Sequence, residues 1–276
     1  MTKRKLVAAA GAVAVAMSAG CAETPSSAPP LVPDGAIVDL SHAYDTTTVF
    51  WPTAAEGFDL RVDAEGMTEA GYYYAANSFS TAEHGGTHLD APIHFAEGQQ
   101  TVDDVPLERL IGPAVVIDVT AESEADADYL VTVDDLQRFE QQHGRIGPDA
   151  ILLIRTGFSS RWPDAARYLG TAERGPEAVA HLHFPGLHPD TAKWLVEERP
   201  VRAVGIDTAS IDYGQSTSFE THRTLAAAGI PAFENLTALD QLPERGAYVI
   251  ALPMKIGGGS GAPLRAVAVV PDGGAD

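Results

Sequence analysis

HGGTHLDAPIHF, residues 84–95, places three of the chain's nine histidines and one aspartate among glycines and a proline. His84 and His88 have the four-residue spacing of a metal-binding helix. Gly85 and Gly86 stand between them, however, and Pro92 follows. Adjacent glycines are poor helix formers, and the residue before a proline avoids the α region. The stretch therefore reads as a loop passing into an extended segment. Alternate side chains of an extended segment share a face, so His88 and Asp90 point the same way. The glycines let the backbone fold closely enough for His84 to join them. Two imidazoles and a carboxylate around one point suit zinc, manganese or a similar divalent ion. His94 lies beyond Ala91-Pro92; it stays off the ion and is suited to moving protons, since an imidazole titrates near neutral pH. The competing reading is a chance cluster of structural histidines, and the Gly-Gly and Asp-x-Pro context argues against it.

Outward from this stretch the pattern is mixed. AIVDL (36–40) reads as a strand, and YYYAANSFS (72–80) reads as a strand leading into the histidine segment. PAVVIDV (113–119), AILLIR (150–155), VRAVGID (201–207), AYVIAL (247–252) and LRAVAVV (264–270) are short apolar runs that suit buried strands. Helices are expected between them. TVDDLQRFEQQHG (132–144) opens on a Thr cap and an acidic first turn, and HPDTAKWLVEERP (188–200) stops at Pro200. HRTLAAAGIP (222–231) ends on Gly229 and Pro231. With no internal repeat and no composition break after residue 36, one α/β domain over 36–276 is the simplest account.

The N-terminus reads differently. Lys3, Arg4 and Lys5 precede the small apolar run LVAAAGAVAVAM and then SAGC. That order is a secretion signal over residues 1–20, and its apolar run is too short for a permanent membrane span. Cys21, the single cysteine, resembles the lipidated residue of a bacterial lipobox, although Ser18 stands where leucine is usual. Ordinary signal-peptidase cleavage is the alternative. Residues 21–35, rich in Pro, Ser and Ala, read as a disordered tether. The expected location is therefore outside the cytoplasm, either anchored at Cys21 or secreted. A formal charge of −20 argues against nucleic-acid backbones and anionic membrane surfaces as partners, leaving a lipid at Cys21 as the only membrane contact.

HGGTHLDAPIHF resembles the HxGTHxDxPxHF signature of the cyclase family of metal-dependent hydrolases, which includes bacterial kynurenine formamidase and isatin hydrolase. That family has a downstream His and Glu twelve residues apart, and His222 and Glu234 in THRTLAAAGIPAFENL have this spacing. Trp51-Pro52 matches a Trp-Pro dipeptide that shapes the family's substrate pocket. The likeness covers roughly residues 36–270. It implies a swivelling β/β/α fold with a central sheet or barrel-like core and surrounding helices. It implies that His84, His88 and Asp90 hold a first metal, and that His222 and Glu234, with Asp90 as a bridge, hold a second if there is one. Zn2+ or Mn2+, one or two per subunit, are the expected ions. The resemblance further makes His94 the proton donor and acceptor, puts Trp51 against the substrate, and suggests a homo-oligomer, dimer or tetramer.

The expected reaction is hydrolysis of a carbon–nitrogen amide bond: a divalent ion polarises the carbonyl and activates water, and an acid is needed when the nitrogen departs. N-formylkynurenine or a related aryl amide is the first substrate reading, and opening of a cyclic amide such as isatin is the alternative. A third reading, an exported binding protein without catalysis, leaves an intact His94 without a purpose. Elsewhere, His181 and His183 in HLHF (181–184) share a face if the segment is extended, and His183 is a candidate for the pocket wall. His42 and His143 read as solvated. Asp207, Ser210 and Asp212 in GIDTASID (205–212) read as structural support behind a pocket. Ser210 lacks a GxSxG context, which excludes a serine hydrolase of that type. GGGSG (257–261) lacks the lysine of a phosphate loop and reads as a flexible turn near the site.

Overall fold

A computed structural model describes residues 32–272. The signal peptide expected at 1–20, Cys21 and most of the tether lie outside the described residues. The strands are β1 (Gly35–Asp39), β2 (Asp59–Met67), β3 (Tyr73–Ser80), β4 (His88–Asp90), β5 (Ile111–Asp118), β6 (Leu130–Val131), β7 (Ile151–Arg155), β8 (Gly186–Leu187), β9 (Ala203–Ile206), β10 (Ala232–Glu234), β11 (Arg245–Pro253) and β12 (Gly261–Pro271). The helices are α1 (Leu107–Leu110), α2 (Thr120–Ala125), α3 (Val133–His143), α4 (Ala165–Tyr168), α5 (Pro189–Glu198) and α6 (Glu220–Ala227). Among the described residues no helix is long and apolar enough to cross a membrane.

The main sheet runs in the order β1-β12-β11-β5-β7-β9-β10-β4, and β4 also pairs with β12. That last pairing closes seven strands into a barrel and leaves β1 as an outer strand, so the fold is a single mixed α/β domain. Closure depends on the length of β12. One edge of β12 bonds to β11 along Leu264–Val269. The other is divided between β4, at Gly261–Pro263, and β1, at Val267–Pro271.

Parallel pairing of β5, β7 and β9 explains their unbroken apolar runs, because such strands are covered on both faces. Ala114, Val116, Ile151, Leu153 and Ala203 turn into the barrel with Phe233 and Val249. The alternate residues Val115, Ile117, Leu152, Ile154, Val204 and Ile206 face outward and pack on Leu136 and Phe139 of α3, Leu195 of α5 and Leu225 of α6. Inside the barrel small residues such as Ala247, Ala251, Ala266 and Ala268 alternate with larger ones such as Leu89, Leu153 and Phe233. At Gly205 even a methyl group does not fit: an added Cβ would lie 2.7 Å from both Leu153 Cδ2 and Leu236 Cδ1. The expected start of α3 is present as a capping box, in which Thr132 Oγ1 accepts from Asp135 N and Asp135 Oδ2 accepts from Thr132 N.

The strand expected before the histidine segment is present as β3, which pairs with β2 in an exposed hairpin outside the barrel. One expectation is corrected: His42 is not solvated. Its ring stacks on Trp162 at 4.2 Å with 8° between the planes, and its Nε2 has no partner. Burial pulls its pKa down to about 4, against a smaller upward pull from Asp39.

Two stability tests arise here. Gly205→Val is expected to lose about 1–3 kcal/mol by overpacking the lumen, read as a lower denaturation midpoint in urea. A folded-state pKa of about 4 for His42 lies below its unfolded value of 6.5, so the unfolded chain binds the extra proton and stability falls as pH drops from 6.5 towards 4. His42→Phe keeps the stack and should lose less stability than the parent between pH 7 and pH 4.5 in the same titration; an equal loss would remove His42 as the cause.

Candidate metal centre

The site is assembled where β4 is held on both edges. Strand alternation buries Leu89 in the core and turns His88 and Asp90 to the opposite side. β10 runs antiparallel to β4 with Glu234 directly opposite His88, which is how a residue distant in sequence reaches the motif. His222 enters from the first turn of α6. His84 closes the group from the preceding loop. Gly86 has a φ of +57°, and a Cβ there would fall 2.5 Å from the Tyr44 ring, so the loop can bend in this way only with glycine.

The ligand atoms converge closely. His84 Nδ1 lies 2.7 Å from Asp90 Oδ1, and His88 Nε2 lies 3.1 Å from the same oxygen and 3.5 Å from Glu234 Oε2. His222 Nε2 lies 3.1 Å from Asp90 Oδ2 and 3.0 Å from Glu234 Oε1. These residues form two overlapping triads, His84-His88-Asp90 and Asp90-His222-Glu234, each with its ligand atoms within 4.8 Å of one another.

Hydrogen bonding on the far side of each ring assigns its tautomer. His88 Nδ1 faces the Gly86 carbonyl at 3.0 Å and must donate to it. His222 Nδ1 donates to the Asp212 carboxylate at 2.6 Å. His84 Nε2 faces Ser260 Oγ at 2.9 Å. In neutral rings the lone pairs of His88 Nε2, His222 Nε2 and His84 Nδ1 then all point at carboxylate oxygens. Lone pairs aimed at one another repel, so the arrangement is stable only with positive charge at its centre. Protons are one source of that charge. Burial opposes the charged form of His222, yet Asp212, Asp90 and Glu234 hold its pKa well above the ordinary histidine value. Burial likewise works against ionised Asp90, but His84, His222 and His88 hold its pKa well below the usual carboxylate range. A divalent cation is the other source, and three imidazoles with two carboxylates are a donor set that fits it.

Supports lie behind the ligands. Asp212 accepts from the backbone N–H groups of Thr221 and His222 as well as from the His222 ring, so one carboxylate fixes both helix start and ligand. Ile211 N donates to Glu234 Oε1 at 2.9 Å. Asn235 Nδ2 donates to the Gly86 carbonyl at 2.8 Å, and Asn235 Oδ1 accepts from Tyr168. Asp207 binds the turn at Thr156 and Gly157, a structural task.

The cluster opens into a cavity of about 420 Å³ walled by Phe50, Trp51, Phe95 and Phe219, with Ser210 and Glu83 also on its lining. Trp51 is braced edge-on by Phe184 at 6.3 Å. His94 lines the same cavity, stacked on His84 at 3.8 Å with Nε2 4.0 Å from Asp90. Burial draws the His94 pKa down to about 4, with Asp90 opposing, so its ring is neutral at pH 7. His183 stands elsewhere. The segment it occupies is not a strand, and its imidazole is exposed, facing Asp128 at 2.8 Å and Gln215, outside the residues that line the cavity. Phe95 and Phe219 were missed as pocket walls, since an isolated phenylalanine looks like core; Phe95 stands within the histidine motif, which was the available signal. Glu83 and Ser260 were missed because their partnership spans 177 residues.

Comparison with known proteins gives the chain's family and relatives. The Cyclase family model matches residues 38–213. Isatin hydrolase of Roseibium aggregatum is 36% identical over 209 residues, covering 73% of this chain and 77% of that protein. Kynurenine formamidase of Salinibacter ruber is 31% identical over 234 residues, covering 84% and 96%. The solved structure of isatin hydrolase A from Ralstonia solanacearum superposes with a TM-score of 0.76 at 37% identity, covering 85% of this chain and 92% of that one.

Asp212→Asn is expected to weaken divalent-ion affinity about 10–100-fold by releasing the His222 ring, measured by calorimetric titration of chelator-stripped protein with Mn2+. Unchanged affinity would show that Asp212 serves only the helix start.

Proposed function

The chain belongs to the cyclase family, and on that premise we propose that it is a metal-dependent hydrolase cleaving a carbon–nitrogen amide bond of an aromatic substrate. The observation that carries this reading is the opening of the five-ligand cluster into a cavity with four aromatic walls. Such walls accept a planar ring, while the polar groups converge at one end. Of the two substrate readings, a cyclic amide of the isatin type has the higher sequence identity behind it, 36% against 31%. An aryl formamide such as N-formylkynurenine is the second reading, supported by alignment over 96% of the Salinibacter ruber enzyme. His84, His88, Asp90, His222 and Glu234 would hold one or two ions, zinc or manganese, with Asp90 common to both triads. An exported location belongs to the same proposal and rests on the Lys-Arg-Lys start and apolar run before Cys21.

A bound ion supplies Lewis acidity, polarising the amide carbonyl and acidifying water. The chain's own side chains do the rest. Trp51, Phe50, Phe95 and Phe219 hold the ring and exclude bulk water. His94, neutral at pH 7 and with Nε2 directed towards Asp90, takes a proton from the attacking water at Nε2. The carbon–oxygen bond forms, the carbon–nitrogen bond breaks, and the same nitrogen of His94 returns the proton to the departing amine. In a cyclic amide the amine remains attached to the product through the ring. Outside the stack with His84, His94 touches Phe95, so its ring plane is set by packing on both sides.

Isatin and N-formylkynurenine assayed side by side on metal-loaded protein should give turnover of at least one, with isatin favoured; hydrolysis of neither would sink the amide reading. His94→Ala is expected to retain its ion and lose about 10²–10⁴-fold in kcat. Wild-type turnover in that variant would exclude His94 as the proton carrier.

A further inference from the structure

The glycine-rich run at 257–261 has a task that a flexible turn does not explain. Ser260 Oγ lies 2.9 Å from His84 Nε2 and 2.6 Å from Glu83 Oε2, and Ser260 N donates to the same Glu83 oxygen at 3.0 Å. An ionised carboxylate only accepts, so the serine hydroxyl must give its proton to Glu83. The serine oxygen then accepts from His84, which places the imidazole proton on Nε2. His84 Nδ1 is left with its lone pair directed at the cluster, 2.7 Å from Asp90 Oδ1. The direction of all three links is fixed by the one member that has no proton.

The backbone around Ser260 is shaped for this contact. A Cβ on Gly259 would stand 2.8 Å from Glu83 Oε1, and one on Gly261 would stand 2.5 Å from His84 Cε1. Glycine on both sides lets the serine approach the ring and the carboxylate at once. The loop is anchored independently, because Ala91 N donates to the Ser260 carbonyl and Val102 N donates to the Gly259 carbonyl, each at 2.9 Å. Gly261 opens β12 and pairs with Asp90, so the serine is tied to the same strand as the ligands.

We propose that Glu83 and Ser260 are positioning residues for the metal centre: together they lock His84 in its Nε2–H tautomer and aim Nδ1 at the cation. The inference rests on the metal-centre reading above. Neither residue belongs to the two ligand triads, and each would act on the cation through His84. A carboxylate acting through a hydroxyl raises the donor strength of the imidazole, as carboxylates behind ligating histidines do. Of the five ligands, His84 is the one that stands on a loop rather than on a strand or helix and is the most exposed, so it gains most from such a lock.

The test is calorimetric titration of chelator-stripped wild type, Ser260→Ala, Glu83→Gln and Ser260→Thr with Mn2+, alongside ¹⁵N correlation spectra of the histidine rings. Ser260→Ala is expected to bind about 10–100-fold more weakly than wild type, with Glu83→Gln in between. Ser260→Thr, which keeps the hydroxyl, should restore affinity. The His84 ring nitrogens should shift away from the Nε2–H pattern in Ser260→Ala alone among the site histidines. Should Ser260→Ala fail to fold, Glu83→Gln carries the same test. Wild-type affinity and an unchanged His84 spectrum in both variants would overturn the proposal while leaving the metal centre standing. Absence of Mn2+ binding by the wild type would instead overturn the metal-centre reading.

Discussion

The structure depends on one short strand held on both edges. His88–Asp90 pairs with β10 on one side and with the start of β12 on the other, closing the barrel and at the same time bringing Glu234 opposite His88. Barrel closure and ligand assembly are thus one event. A register slip of one residue in this strand would drive Leu89 out of the core and His88 into it, destroying both. The absence of a side chain at Gly205 serves the same core, since a Cβ there would press on Leu153 and Leu236.

Around that strand the electrostatics follow a single logic. Each imidazole gives its proton outward, to Gly86 O, to Asp212 or to Ser260, and keeps its lone pair inward among carboxylate oxygens. Such a centre attracts cations, and it attracts protons and metals competitively. His94 stands outside it: its nitrogen approaches Asp90 only to 4.0 Å, and its neutral ring shares the cavity with the aromatic walls. The proposed reading therefore gives cation holding and proton transfer to different histidines of one twelve-residue segment.

Much of this was legible in the sequence. The extended reading of His88–Asp90 followed from Pro92 and the glycines, and the buried parallel strands followed from apolar runs too short for helices. The His222–Glu234 pair was legible only through family resemblance, because its spacing crosses a helix end, a turn and a strand start and has no local periodicity. β2 escaped notice because DLRVDAEGM carries a glycine and four acidic or basic residues, the composition of a loop. His183 drew attention through an alternation that only a strand would make meaningful. His42 was read as solvated because nothing adjacent announces Trp162, 120 positions away. Ser260 was hidden by the same rule: a glycine-rich run signals freedom in a sequence and can mean close approach in a fold.

Anomalous-difference crystallography at the absorption edge of the bound metal tests the central claim most directly. The account predicts a peak within coordination distance of His84 Nδ1, His88 Nε2, His222 Nε2 and the Asp90 and Glu234 carboxylates. Active crystals with no anomalous density among those five side chains would contradict it.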